Sequence, residues 1–159
     1  MSMLKKNITL DRKSMKLISL FNNISGAIIK DCVFFQAPNN SSEIIIFLVK
    51  KEDVGKAIGR GGENVKDLRK KLQKKIDVIP FSEDLEEFIR FILKTTKKAI
   101  RVEKIEIKGS DARKTVVISV DPEDRGKAIG KKGSMIKKIK LLVMRHFDVD
   151  NVIINTNNY

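Results

Sequence analysis

The sequence predicts an α+β protein built as two tandem copies of one small module, and three observations carry that expectation. The segment EDVGKAIGRGG at residues 52–62 returns as EDRGKAIGKKG at residues 123–133, an offset of 71 residues with eight of eleven positions identical. The residues on either side of each copy run through the same order of apolar patterns. The 159-residue chain is 42% hydrophobic and 33% charged, which supplies a core for each half, although a thin one. A shared run of this length in one short chain implies two copies of one supersecondary unit. The modules are bounded at residues 1–80 and 81–159.

Each element follows from local pattern. Residues 11–23 place Met15, Leu17, Ile18 and Phe21 at helical spacing. Residues 27–35 and 43–49 are rich in Ile, Val and Phe, and the break Ala37-Pro38-Asn39-Asn40-Ser41 makes them a hairpin. After the glycines, residues 63–72 form a helix with Val65, Leu68 and Leu72 on one face, and residues 76–79 a short strand ended by Pro80. In the second copy Ser82 is the expected N-cap, with Glu83 and Asp84 complementing the dipole of a helix that runs to about residue 99. Leu85, Phe88, Ile89, Ile92 and Leu93 point inward from it. Residues 102–107 and 115–120 are strands separated by Gly109-Ser110-Asp111. Asp121 caps a short helix with Pro122 in its first turn. Residues 135–146 form the next helix and 152–154 the last strand. Each copy therefore reads helix, strand, strand, helix, glycine loop, helix, strand.

Charge narrows the function. The net charge of +13 points to a polyanionic partner, because neutralised phosphates release condensed counterions. Residues 1–80 carry 16 basic and 8 acidic side chains, and residues 81–159 carry 17 and 12, so the excess belongs to both modules. The single cysteine, Cys32, excludes an internal disulfide and a cysteine zinc finger, and reads as a small buried hydrophobe. His146, the one histidine, sits near a helix end and reads as a surface or cap residue. One His and one Cys leave no candidate nucleophile–base pair or zinc site, so neither catalysis, metal nor cofactor is expected. The sequence has no apolar run long enough for a membrane span and no secretory pattern in residues 1–8, so a cytoplasmic location is expected.

The loops Gly59-Arg60-Gly61-Gly62 and Gly130-Lys131-Lys132-Gly133 join two helices through four residues. Glycine permits positive φ there and leaves no Cβ in the way of a ligand backbone. The second helix begins at the corner, so its free N–H groups and positive dipole end face whatever docks. Basic residues between the glycines add phosphate partners, and Ile58 and Ile129 offer an apolar floor. An NTPase phosphate loop needs glycine, four residues, then Gly-Lys-Ser/Thr. The second copy, from Gly126 to Lys131, is one residue short of that and has Lys132 at the hydroxyl position.

Ile-Gly-x-x-Gly between two helices resembles the KH module, whose loop clamps the backbone of about four single-stranded nucleotides. The match is close over Ile58-Gly59-Arg60-Gly61-Gly62-Glu63-Asn64-Val65. Two strands before the loop and one after resemble the prokaryotic, type II arrangement (αββααβ), here expected to pack as one elongated unit. The tandem pair also resembles the archaeal form of the NusA transcription factors, with further likeness in Ile18-Ser19-Leu20-Phe21, Asp31-Cys32 and Glu86-Glu87-Phe88. This resemblance implies a monomeric protein that binds single-stranded RNA in transcription termination or antitermination, with RNA polymerase as candidate second partner. Carried onto this sequence, it implies RNA contacts by Lys56, Ile58, Gly59, Arg60, Gly61, Gly62 and Lys66. In the second copy it implies Lys127, Ile129, Gly130, Lys131, Lys132, Gly133 and Lys137.

Other readings stand beside this one. KH modules also serve ribosome assembly and RNA decay. Acidic Glu83, Asp84, Glu86 and Glu87 would suit a polymerase-docking protein, although helix capping explains them more cheaply. The run Lys66, Arg69, Lys70, Lys71, Lys74 and Lys75 is either a solvated helix face or an extension of the RNA track, and so are Lys137, Lys138 and Lys140. Aromatic residues are few and Trp is absent, so bases are expected to rest on aliphatic side chains. Ser134-Met135 stands where the first copy has Glu63-Asn64, and Arg125 where it has Val54, so the modules are expected to bind different RNA.

Overall fold

In the computed structural model, which describes residues 5–38 and 42–156, Asp11 starts the first module. Its carboxylate accepts the Ser14 N–H at 2.7 Å and caps α1 (Arg12–Ser25), as a short acceptor at N-cap does. Gly26, at φ 74°, ends that helix. A hairpin follows, with β1 (Ile29–Gln36) antiparallel to β2 (Glu43–Lys50). Asn39, Asn40 and Ser41 of the predicted turn lie outside the described residues. Then come α2 (Val54–Ile58), α3 (Glu63–Leu72) and β3 (Lys75–Phe81), the last parallel to β2 in a sheet of order β1-β2-β3. Parallel neighbours cannot be joined by a tight turn, so the β2-to-β3 chain must leave the sheet and return. The crossover it uses is the pair of helices that holds the glycine loop.

The second module repeats this order with α4 (Leu85–Leu93), β4 (Val102–Ser110), β5 (Arg113–Val120), α5 (Arg125–Ile129), α6 (Ser134–His146) and β6 (Asn151–Thr156). Its sheet is β4-β5-β6, antiparallel then parallel. Both sheets thus have the type II KH topology. Asp121 accepts the Glu123 N–H at 2.9 Å, with Pro122 opening a 3₁₀ turn, as its sequence predicts.

In the first core, Phe21 and Phe47 meet edge to face at 4.8 Å over Val65 and Leu68 of α3, and Cys32 is buried. In the second, Phe88 packs on Phe147 at 5.9 Å, among buried residues that include Ile139, Leu142 and Val143. Ala57 and Ala128 are both fully buried, so the short helices α2 and α5 sit tight on their cores. The chain divides into a unit of residues 9–82 and a unit of residues 83–159 together with the N-terminal segment. Within the latter, Lys5 bridges to Phe147, the Lys6 N–H donates to the His146 carbonyl at 2.7 Å, and the Lys6 ammonium donates to the Met144 carbonyl at 2.9 Å. Among the described residues no helix is long and apolar enough to cross a membrane.

Four local expectations are corrected. β3 continues through Pro80 to Phe81, because an edge strand has one side on which a missing N–H costs nothing. The N-cap of α4 is Asp84, which accepts the Glu86 N–H at 3.2 Å; Glu83 instead pairs with Lys5 at 2.7 Å. α4 stops at Leu93 and not near residue 99, where the Thr95 hydroxyl bonds back to the Ile92 carbonyl at 2.7 Å and competes with the next helical turn. His146 is 3% exposed, not a surface residue, because it continues the buried stripe of Met135, Ile139, Leu142 and Val143.

Candidate nucleic-acid interface

The two loops adopt one backbone conformation. Gly59 and Gly130 have φ 80° with ψ 170° and 169°, a region essentially restricted to glycine. A Cβ on Gly59 would meet Asn64 Nδ2 at 2.8 Å, and one on Gly130 would meet the Met135 backbone nitrogen at 2.7 Å. These positions need glycine twice over, for torsion and for space. Gly62 and Gly133 are left-handed at φ 76° and 78°. The third loop residue is also left-handed in both copies: Gly61 at φ 62° and Lys132 at φ 52°. Matching hydrogen bonds close each corner, Gly62 N–H to the Gly59 carbonyl at 3.1 Å and Gly133 N–H to the Gly130 carbonyl at 3.0 Å.

What the corner presents is electropositive. Neither α3 nor α6 has a side chain capping its N-terminus. α3 carries Glu63 in its first turn, whereas α6 has no acidic residue there, so its dipole end is not neutralised from within. Arg60, Lys131 and Lys132 are exposed, and none has a carboxylate within 4 Å among the described residues; the same is true of Lys56, Lys66 and Lys137. Ile58 is 37% exposed, high for its size, and Ile129 is half-buried. Lys127 differs, since its ammonium donates to Asp124 at 3.2 Å and to the Ala99 carbonyl at 3.5 Å. Of the cationic run, Arg69, Lys70 and Lys71 lie on α3, whereas Lys74 falls beyond it and Lys75 begins β3. Lys71 pairs with Asp67 and Lys74 with Glu43, and Arg69, Lys70 and Lys75 have no carboxylate partner among the described residues. Lys138 is removed from the predicted surface track. It is buried, and its ammonium donates to Thr95 Oγ1 at 3.2 Å.

Sequence reasoning missed the anchor beneath each loop. Asp53 accepts the Ile28 N–H at 2.8 Å, and Asp124 accepts the Arg101 N–H at the same distance, so each repeat aspartate ties the start of its short helix to the chain entering the sheet. Its signal was the Glu-Asp pair kept in both copies. In the second module the Arg101 side chain also donates to Asp124 at 2.9 Å and to Glu123 at 3.1 Å. Hydrogen bonds from the Arg101 side chain and backbone hold the Asp124 carboxyl far below the usual carboxylate range, against the opposing effect of burial. In the first loop alone, Asn64 Nδ2 donates to the Lys56 carbonyl at 3.1 Å and ties α3 to α2.

Two αββααβ units, each carrying such a corner, define a tandem type II KH protein. The KH domain family matches residues 17–82 and 85–158, so the chain is a member of it. Among relatives, a protein of Methanococcus vannielii named "Probable transcription termination protein NusA" is 37% identical over 91% of this chain and 78% of its own length. One of the same name from Methanocaldococcus jannaschii is 30% identical over 95% of this chain and 77% of its own length. The crystal structure of the protein APE1850 superposes with a TM-score of 0.78 at 34% identity, covering 92% of this chain and all of that one. The chain belongs to the archaeal NusA family of tandem KH proteins.

Proposed function

We propose that this protein binds single-stranded RNA through its two Gly-x-x-Gly loops and acts as a NusA-like transcription termination or antitermination factor on nascent RNA. The observation that carries the reading is the pair of matched corners, each with exposed cations that have no carboxylate partner among the described residues, beside an uncapped helix N-terminus. Such a corner suits a sugar–phosphate backbone: N–H groups and cations take the phosphates, and bases lie along aliphatic residues such as Ile58 and Ile129. The role in transcription rests on the name of the relatives.

The test is a titration of unpaired RNA and of a perfect duplex at several salt concentrations. Unpaired RNA is expected to bind tighter, with log K falling by about 0.7 per neutralised phosphate for each tenfold rise in salt. Equal or tighter duplex binding, or affinity insensitive to salt, would overturn the reading.

A further inference from the structure

We propose that the connection between α4 and β4 extends the RNA track of the second module, with Lys94, Lys97 and Lys98 taking phosphates of a strand that continues beyond the loop. The proposal rests on reading the loops as RNA clamps. All three side chains are exposed and have no carboxylate partner among the described residues. They line a cleft together with Leu93, Ile100 and Val102, so cationic groups for a backbone lie beside apolar surface for a base.

The connection is fastened to the helices around the loop at three points. Lys138 of α6 donates to Thr95 Oγ1 at 3.2 Å, Lys127 of α5 to the Ala99 carbonyl at 3.5 Å, and Arg101 to Asp124 at 2.9 Å. Lys127 lies three residues before Gly130, roughly 5 Å along a helix, so the lysine-bearing segment runs beside the base of the clamp. Attraction to the α4 dipole accounts for Lys94 at the helix end, but the effect fades within the last turn and does not reach Lys97 and Lys98. The first module has no counterpart: from Leu17 to Ile29 it carries no charged side chain, and its helix closes on Gly26. The extension therefore belongs to the second module alone.

The full chain with Arg60→Asp and Gly61→Asp, which disables the first loop, is the parent for the test. Lys94→Ala, Lys97→Ala and Lys98→Ala are added together, and binding is measured on a strand of about four nucleotides and on one about three times as long. The triple change is expected to weaken the long strand several-fold more than the short one, and to lower its salt slope by about 0.7 for each phosphate no longer neutralised. An unchanged long-strand slope would overturn the extension and leave the clamp reading standing. Equal weakening of both strands would reduce the effect to bulk charge and overturn it as well. A parent that binds neither strand would overturn the clamp reading, and the extension with it.

Discussion

Gly61 and Lys132 occupy the same place in two superposable corners, at φ 62° and φ 52°, yet only one of them is a glycine. A left-handed torsion costs an L-residue about 1 kcal/mol, so the second loop holds its extra cation at a cost that the first avoids. The surroundings differ in the same sense. The first corner is braced by the Asn64 amide and bordered by Ile28, 46% exposed, whose N–H reaches Asp53. The second has Met135 in place of Asn64, and in place of Ile28 it has Arg101, locked to three carboxylates within 3.5 Å. Backbone geometry is thus dictated by the corner itself, and charge and bracing vary on top of it. The left-handed non-glycine residue of the two corners is an exposed lysine; Gln73, left-handed at φ 55°, ends α3 as an ordinary helix cap.

The largest effect that would break this comparison lies at the first glycine of each loop. Gly130→Ala is expected to destabilise its module by about 3 kcal/mol, since a glycine-only torsion is combined with a clash. Gly59→Ala is expected to cost less, because the Asn64 side chain it meets can rotate away and the Met135 backbone cannot. Urea unfolding of both variants reads the ranking; equal or reversed losses would show that the two corners are not braced as described.

Arg101→Ala comes next, and its signature is a dependence on pH. Because the folded Asp124 carboxyl is depressed, its stabilisation is fully present above the unfolded carboxyl value of about 3.9 and lost as pH falls below it. The stability gap between the natural protein and Arg101→Ala is therefore expected to be widest above about pH 4 and to close in stronger acid. The first module, with Ile28 in this place, is the internal control. A gap constant down to strong acid would remove the guanidinium from the account of Asp124.

The smallest effect sharpens the comparison. Lys132→Gly is expected to stabilise the second module by up to about 1 kcal/mol while lowering the salt slope of RNA binding by about 0.7. Gly61→Lys should do the reverse in the first, where a Cβ meets open space. Thermal melts and salt titrations of the pair measure both signs at once.

Much of this was legible in the sequence because the repeat let each copy check the other. The bounds of α3 follow from its apolar face and the glycines before it, and the Asp121-Pro122 turn from its chemistry. The end of α4 was not legible: Lys and Ala favour helix, and only the hydrogen bond between Thr95 and Ile92 reveals the stop. His146 and Lys138 were misplaced because polarity was given more weight than periodicity, although both fall on the stripe that buries α6. The loops were plain in the sequence as corners. Their torsions, and the strain at Lys132, required coordinates.

Affinity for a single strand of RNA long enough to meet both loops, measured with one loop and then the other reversed in charge, tests the central claim most directly. Arg60→Asp with Gly61→Asp alters the first loop, and Lys131→Asp with Lys132→Asp the second. The outer glycines remain, Gly61 has open space around it, and Asp is among the residues that best tolerate a left-handed torsion, so folding is expected to persist by circular dichroism. Each pair is expected to weaken binding by at least about tenfold through loss of avidity, and both pairs together to abolish it. Folded variants that bind RNA as the natural protein does would contradict the claim, and would leave the two glycine loops as structural corners only.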